Sequence, residues 1–227
     1  MISARNVGRR ISSKLDKTVS ELYSADYDNK LTDNDFSEVV KATEELKKQN
    51  IYYVDEHGDV PTIEKTILDF SQSEYAKGKW VIITLDHTLL VTAKQSDSER
   101  KVISDLQYMF IRLKKNKSFT KTILQLSQVN RDLESNERKN NPAMHFPQRS
   151  DIFGSEAVYQ CSDYVWFIHS PSRLGLTTYG PRNWPTNGYV YIHAGKNRDG
   201  EAKILVFKDE LKYNRLIETS LTEENKS

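Results

Sequence analysis

The run from Lys79 to His87, KWVIITLDH, constrains this chain more than any other stretch. It is an almost unbroken series of β-branched and apolar residues. That pattern predicts a strand buried on both faces of a parallel sheet. The run ends in an acid, Asp86, followed by His87 and Thr88-Leu89-Leu90. An acid at the carboxyl end of such a strand lies on the sheet edge where open α/β folds bind ligands. There it can hold a hydrated Mg²⁺ beside a nucleotide, or simply cap the turn that follows.

Composition narrows the surroundings. The chain has 227 residues and a net charge of +1, so one main domain is expected and any nucleic-acid site must be a local patch. Hydrophobic residues make up 37%, enough for a core, but no run approaches the ~20 apolar residues of a membrane span. Cys161 is the only cysteine, which excludes an internal disulfide and a multi-cysteine metal site. With no apolar signal core at the amino terminus, an intracellular protein is expected.

Along the chain, Val7, Ile11 and Leu15 recur at helical spacing and predict a helix over 3–22. Capping residues before Phe36, Val39, Val40 and Leu46 predict a second. Ile51–Val54 reads as a short strand and Pro61–Phe70 as a helix with Pro61 in its first turn. Thr92–Glu99 reads as a mobile loop, Val102–Leu113 as a core helix and Thr120–Val129 as a strand. The long polar stretch 134–150 carries Arg138, Lys139 and Arg149, and loops of that length are functional or disordered. A helix over 151–162, a strand over 164–169 and a hairpin over 188–208 with an Asp-Gly turn complete the series. The expectation is one domain over 1–218 and a polar, frayed tail over 219–227. Alternating strands and helices predict an α/β fold with a mostly parallel sheet flanked by helices.

Three features stand at strand ends: Asp86, then Ser127-Gln128 with Asn130-Arg131, then Lys196 and Arg198 on the hairpin. In that order, LDHTLLV, LQLSQVNRDLE, SDIFGSEAVYQCSDYVWFIH and HAGKNRDGEAKILVF resemble the Walker-B strand, the SQxNR motif, the segment after it and the KxRxG hairpin of the DnaB-family replicative helicases. The wording DIFGS and KNRDGE looks more like the bacteriophage members. The resemblance implies a RecA-like P-loop-NTPase core that uses ATP and Mg²⁺ and unwinds DNA as a hexameric ring on single-stranded DNA. It implies that Asp86 holds the metal, that Gln128 senses the γ-phosphate, and that Lys196 and Arg198 act on the nucleotide of a neighbouring subunit. Arg131 and, more remotely, Arg215 would join the nucleotide site. Arg138, Lys139, Arg149 and Phe153-Gly154 fill the place of the DNA-contacting segments, although Phe153-Gly154 replaces the family's Arg-Glu pair there. Primase or a helicase loader would be a partner, in the cytoplasm of a bacterial host.

One departure bears on all of this. No glycine-rich GxxxxGK loop followed by Ser or Thr occurs in the sequence. Met1-Ile2-Ser3 resembles the residues just after the family's catalytic glutamate. The chain is therefore expected to lack the P-loop strand, which by analogy lies between the strands at 120–129 and 164–169, and to need an amino-terminal helicase part for activity. Two other readings stay open: a non-catalytic RecA-like ring or DNA-binding module, and a RadA-like recombination ATPase.

Overall fold

A computed structural model describes residues 3–26, 30–56, 58–88, 91–92 and 97–221, without the side chains of Ser3 and Ser155. The middle of the expected loop, 93–96, and most of the expected tail, 222–227, lie outside them, as do Met1, Ile2, Leu89 and Leu90.

The first predicted helix is two: α1 (Ser3–Leu15) and α2 (Val19–Tyr23). Asp16 turns left-handed (φ 53°), and Thr18 opens α2 with a capping box to Glu21. Thr32 caps α3 (Asp33–Lys47) in the same way. Asp59 accepts from the Thr62 amide to start α4 (Val60–Gln72), where Pro61 falls at the first turn. Between α3 and α4, residues 51–56 form no ladder, so the strand expected there is absent. Ile51, Tyr52, Tyr53 and Val54 are exposed, and the Tyr52 ring packs at a tilt against Phe70 and Tyr75 instead.

β1 (Trp80–Leu85) pairs in parallel with β2 (Thr120–Gln125), Val81 opposite Lys121 and Leu85 opposite Gln125. α5 (Glu99–Lys115) crosses between them and buries Val102, Leu106, Met109, Phe110 and Leu113 against Leu85, Ile123 and α4. After β2 come a short α6 (Asn136–Lys139), α7 (Ser155–Cys161) and β3 (Tyr164–His169). Val158 of α7 packs with Ile103 of α5 and with Phe167 of β3. A two-residue pair, β4 (Thr178–Tyr179) with β5 (Trp184–Pro185), interrupts the second long loop. β6 (Tyr189–Asn197), β7 (Ile204–Glu210) and β8 (Arg215–Thr219) complete an antiparallel sheet of order β3-β6-β7-β8. The sequence pattern did not announce β8, which returns from β7 through a left-handed Asn214.

The helices and the parallel pair make an α/β fold, but the strands do not form one continuous sheet. β2 and β3 both lie beneath α5 and α7, yet no ladder joins them. β1 is buried on one face only. Trp80 (68% exposed) and Ile82 (66%) on β1 share the open face with Leu124 and Leu126, while Trp166 (64%) and Ile168 (69%) stand out from β3. The expectation of two-sided burial fails because, among the described residues, no helix covers that face.

Candidate functional site

Asp86 leaves β1 at its carboxyl end and is partly exposed; its peptide bond to His87 is cis. Thr88 fixes this corner to the neighbouring strand: its amide and its Oγ1 both donate to the Leu126 carbonyl, at 3.0 and 2.9 Å. Gln125 Nε2 donates to Thr88 Oγ1, and Gln107 of α5 donates to Gln125 Oε1. A buried polar chain therefore runs from α5 through β2 to the turn that carries Asp86, and satisfied chains of this kind hold a turn rigidly.

Gln128 sits just past β2 with its side chain exposed. Its carbonyl accepts from the Phe153 amide at 3.0 Å, and Asn130 bonds to Asp151 and Ser150. The structure thus brings Gln128 beside the Phe153-Gly154 entry to α7, on the same carboxyl edge as Asp86. Gly154 adopts φ +70°, and a Cβ there would stand 2.8 Å from Ile103 Cδ1. Phe153 packs into the cluster of Ile103 and Val158. Both residues have structural reasons to be where they are, independent of any nucleic acid.

Lys196 and Arg198 lie elsewhere. β6 runs antiparallel to β3, so Lys196 stands opposite Val165, at the start of β3. Arg198 pairs with Asp163, which immediately precedes β3, and its amide donates to the Asp163 carbonyl. Lys114, on the approach to β2, pairs with the same Asp163. The amino ends of β2 and β3 therefore lie at the same end of the fold, and Arg198 is among them. A six-residue strand spans about 20 Å. The two cations and the Asp86–Gln128 pair are thus at opposite ends of the strands within one chain. Lys196 Nζ donates to the Tyr159 and Gln160 carbonyls and lies 5.0 Å from the Tyr159 ring centroid. It caps the last turn of α7, a role open to lysine at a helix carboxyl end. Hydrogen bonding from Lys114, ahead of the Lys114 and Arg198 charges, holds the Asp163 carboxyl below its ordinary range.

The remaining predicted residues divide. Arg131 is exposed on the 3-10 turn after Asn130. Lys139 lines a polar cleft of about 320 Å³ with Asn136, Asn140, His145 and Thr178. Arg149 is half exposed, pairs with Glu156 and stacks 4.8 Å over Tyr159. Two expectations need correction. Arg138 is 8% exposed and spends its donors inside the fold: on Asp151 (1% exposed) at 2.5 Å, on the Met144 carbonyl and on the Phe146 carbonyl. It staples the 135–151 loop and presents no charge to DNA. Arg215 is engaged by Asp16, Glu210 and the Ser13 carbonyl, so it clamps α1 to the β7–β8 hairpin rather than facing a nucleotide.

Sequence reasoning missed a buried polar cluster under the second loop. Tyr179 Oη lies 2.7 Å from His169 Nδ1 and 2.6 Å from His193 Nε2. His145 Nδ1 accepts from the Gly180 amide, and Phe146 packs on Tyr179, Trp184 and His193. Burial pushes both His169 and His193 down to about 4, with His193 and Arg138 charges adding to the effect on His169. The alternation Tyr189, Tyr191, His193 on β6 was the available signal for an inward-facing polar row.

For a magnesium nucleotide the fit is partial. Asp86 offers one carboxylate, and among the described residues no three His, Cys, Asp or Glu side chains converge. One acid suits a cation held mainly by water and phosphate oxygens. A cradle of successive glycine-loop amides, by contrast, is not found among the described residues.

The core is of the α/β class, with an acid at one strand end, a Gln at the next and a cationic hairpin, and the family follows from comparison. Residues 1–217 match the model of the DnaB-like helicase C terminal domain, and the chain belongs to that family. No curated protein matches. Among solved structures, it is similar to a DnaB-like replicative helicase described with its interactions with primase, at TM-score 0.76 and 20% identity over 96% of this chain. It is also similar to a second solved chain, described as an ATPase domain, at TM-score 0.77 and 19% identity over 97%. The chain spans 48% of the first of those chains and 72% of the second. At such identities the likeness establishes the RecA-like fold.

Proposed function

We propose that the chain is the ATPase portion of a replicative DNA helicase, hydrolysing ATP with Mg²⁺ at boundaries between subunits of a hexameric ring on single-stranded DNA. The observation that carries this reading is the division of the site. Asp86 and Gln128 occupy the carboxyl edge, Lys196 and Arg198 the amino edge. One chain cannot bring the four to a single phosphate, whereas a neighbour can present its hairpin to the edge that carries Asp86. Asp86 would hold the metal, largely through water, and the metal would neutralise phosphate charge. Gln128, fixed through its carbonyl to Phe153, would link the γ-phosphate to the 151–154 segment. Arg198 keeps its charge at any working pH and can fork onto phosphoryl oxygens.

The gap between β2 and β3 supports a further part of the reading. A strand, a phosphate-binding loop and a helix supplied from outside these 227 residues would fill the gap and cover Trp80, Ile82, Trp166 and Ile168. Hydrolysis then depends on that segment. DNA would meet the carboxyl-edge loops, through Lys139 and Arg149 and the backbone at Phe153-Gly154. Primase or a loader would be the partner, in a bacterial host cytoplasm and in a bacteriophage setting.

The test needs the amino-terminal helicase part joined by co-expression or fusion. In that assembly Arg198→Ala should lower hydrolysis by about 10³-fold while nucleotide binding persists. Mixing it with a variant lacking the phosphate-loop lysine should restore part of the rate, because mixed rings contain intact interfaces. Hydrolysis at the parent rate in Arg198→Ala would refute the assignment.

A further inference from the structure

The path of the hairpin that carries Lys196 and Arg198 turns on one glycine. Between β3 and β6 the register slips: Val165 stands opposite Lys196 but Trp166 opposite Ala194, which leaves Gly195 over as a bulge. A bulge bends its strand and re-aims the side chains beyond it. Only glycine fits here, because a Cβ would stand 2.5 Å from Cε2 of the buried Phe167 ring. Lys196 and Arg198 follow the bulge, so they point where Gly195 sends them.

Tyr159 of α7 grips both the backbone and the side chain at this bend. Its hydroxyl donates to the Gly195 carbonyl at 3.0 Å. Its ring centroid lies 5.0 Å from Lys196 Nζ, and its own carbonyl accepts from that Nζ at 2.7 Å. The Gln160 carbonyl takes a second Lys196 proton at 3.2 Å. Two of the three ammonium donors are thus committed to α7. Tyr159 is in turn fastened on its own side. It packs against the cluster of Ile103, Val158 and Phe167, and the Arg149 guanidinium lies 4.8 Å from the same ring centroid. Two cations attracted to one ring restrain it, and its hydroxyl stays on Gly195. Two further tethers, Asp163 to Arg198 and Tyr164 Oη to Asp199, hold the hairpin beyond the bulge rather than at it.

We infer that Tyr159 is the positioning residue of this hairpin: hydroxyl on Gly195 and ring beside Lys196, it sets the direction in which Arg198 leaves the sheet. The inference rests on the subunit-boundary reading above for its use in hydrolysis, but not for its geometry.

Tyr159→Phe keeps the ring and removes one bond to a carbonyl on an exposed glycine, so the urea unfolding midpoint should hold. The Arg198 amide, which donates to the Asp163 carbonyl, reports the set of the hairpin. Its hydrogen exchange should quicken by about tenfold in Tyr159→Phe and by less than about twofold in Tyr164→Phe. Unchanged exchange in Tyr159→Phe, or an equal gain in Tyr164→Phe, would overturn the inference. In the assembly completed with the amino-terminal part, a mis-set Arg198 should lower kcat while KM for ATP holds. The loss should be about tenfold for Tyr159→Phe and about 10²-fold for Tyr159→Leu. Mixing Tyr159→Leu with the variant lacking the phosphate-loop lysine should restore part of the rate, whereas mixing it with Arg198→Ala should not, because both defects lie on the hairpin side of the boundary. Parent kcat in Tyr159→Leu where Arg198→Ala is inactive would overturn the inference, as would rescue of Tyr159→Leu by Arg198→Ala. If Arg198→Ala itself hydrolyses ATP at the parent rate, the catalytic reading falls alone, and the exchange of the Arg198 amide decides the positioning role.

Discussion

Lowering the pH from about 7 to about 5 should destabilise this protein by about 4 kcal/mol through two histidines alone. Tyr179 has one hydroxyl proton to share between His169 Nδ1 and His193 Nε2. It donates to one neutral ring and accepts from the other. A proton added to either ring introduces a donor, and a charge, where no acceptor waits; His169 Nε2 is already buried without a partner. Arg138 stands among the nearby charges that disfavour it, and Asp151 offsets this only in part.

The sign follows from the direction of the shift. Folded values of about 4 lie below the ordinary 6.5, so the unfolded chain takes up protons first. Stability is complete above about 6.5 and falls as the pH drops from there toward 4. At about pH 5 each ring is mostly protonated when unfolded and mostly neutral when folded, which costs about 2 kcal/mol per ring. The lowered carboxyls of Glu21, Asp35, Glu45 and Asp163 act in a more acidic window, so they do not confuse this one. Urea unfolding at the two pH values reads the difference as a shift in midpoint at constant slope. A nitrogen-15 titration of the imidazoles reads the cause directly. Equal stability at both pH values, or a His169 midpoint near the ordinary histidine value, would refute the reasoning.

Arg138→Ala should cost about 3–5 kcal/mol in unfolding experiments, because it strands the buried Asp151 carboxylate, while leaving unchanged the salt dependence of the DNA binding proposed above. Gly154→Ala should cost about 1–3 kcal/mol by thermal melting, since a left-handed backbone and the Ile103 contact both resist a Cβ. The chain as it stands should neither bind ATP tightly nor hydrolyse it, for want of a phosphate cradle; magnesium-dependent turnover abolished by Asp86→Ala would contradict this.

The legible part of this chain is the part whose signal is local. Val102 to Leu113 repeats at helical spacing and folds as α5; Tyr164–His169 is an unbroken aromatic and apolar run and is β3 as expected; Thr32 and Asp59 cap the helices that follow them. Asp86 and Gln128 were placed because apolar runs end at them. What failed needed knowledge of distant partners. Ile51–Val54 has strand composition but no neighbouring strand, and β1 has the composition of a two-faced strand but one open face. Arg138 and Arg149 look alike in a polar loop, yet a buried acid thirteen positions away from Arg138 (Asp151) turns only that arginine inward. Lys196 and Arg198 were legible as a motif, but their distance from Asp86 comes from the antiparallel run of β6 against β3.

Under the proposed function, Asp163 would give that distance a use. Only Nη1 of Arg198 is committed to Asp163, and the Arg198 side chain is 54% exposed. The fork can therefore hold the carboxylate with one nitrogen and offer the rest to a phosphate presented from outside. Lys114 on the same carboxylate keeps Asp163 ionised and in place. Under the proposed function Asp163 would then act as a positioning residue, much as outer carboxylates orient metal-bound histidines. Since the cluster is solvent-facing, Asp163→Asn should change stability by no more than about 1 kcal/mol. In an assembly completed with the amino-terminal part, it should lower the hydrolysis rate by about tenfold or more while nucleotide affinity holds, because a loosened Arg198 fails only at the transition state. Asp163→Glu should recover part of that loss. A rate that rises in Asp163→Asn would mean instead that the carboxylate competes with phosphate for Arg198, and the positioning argument would be wrong.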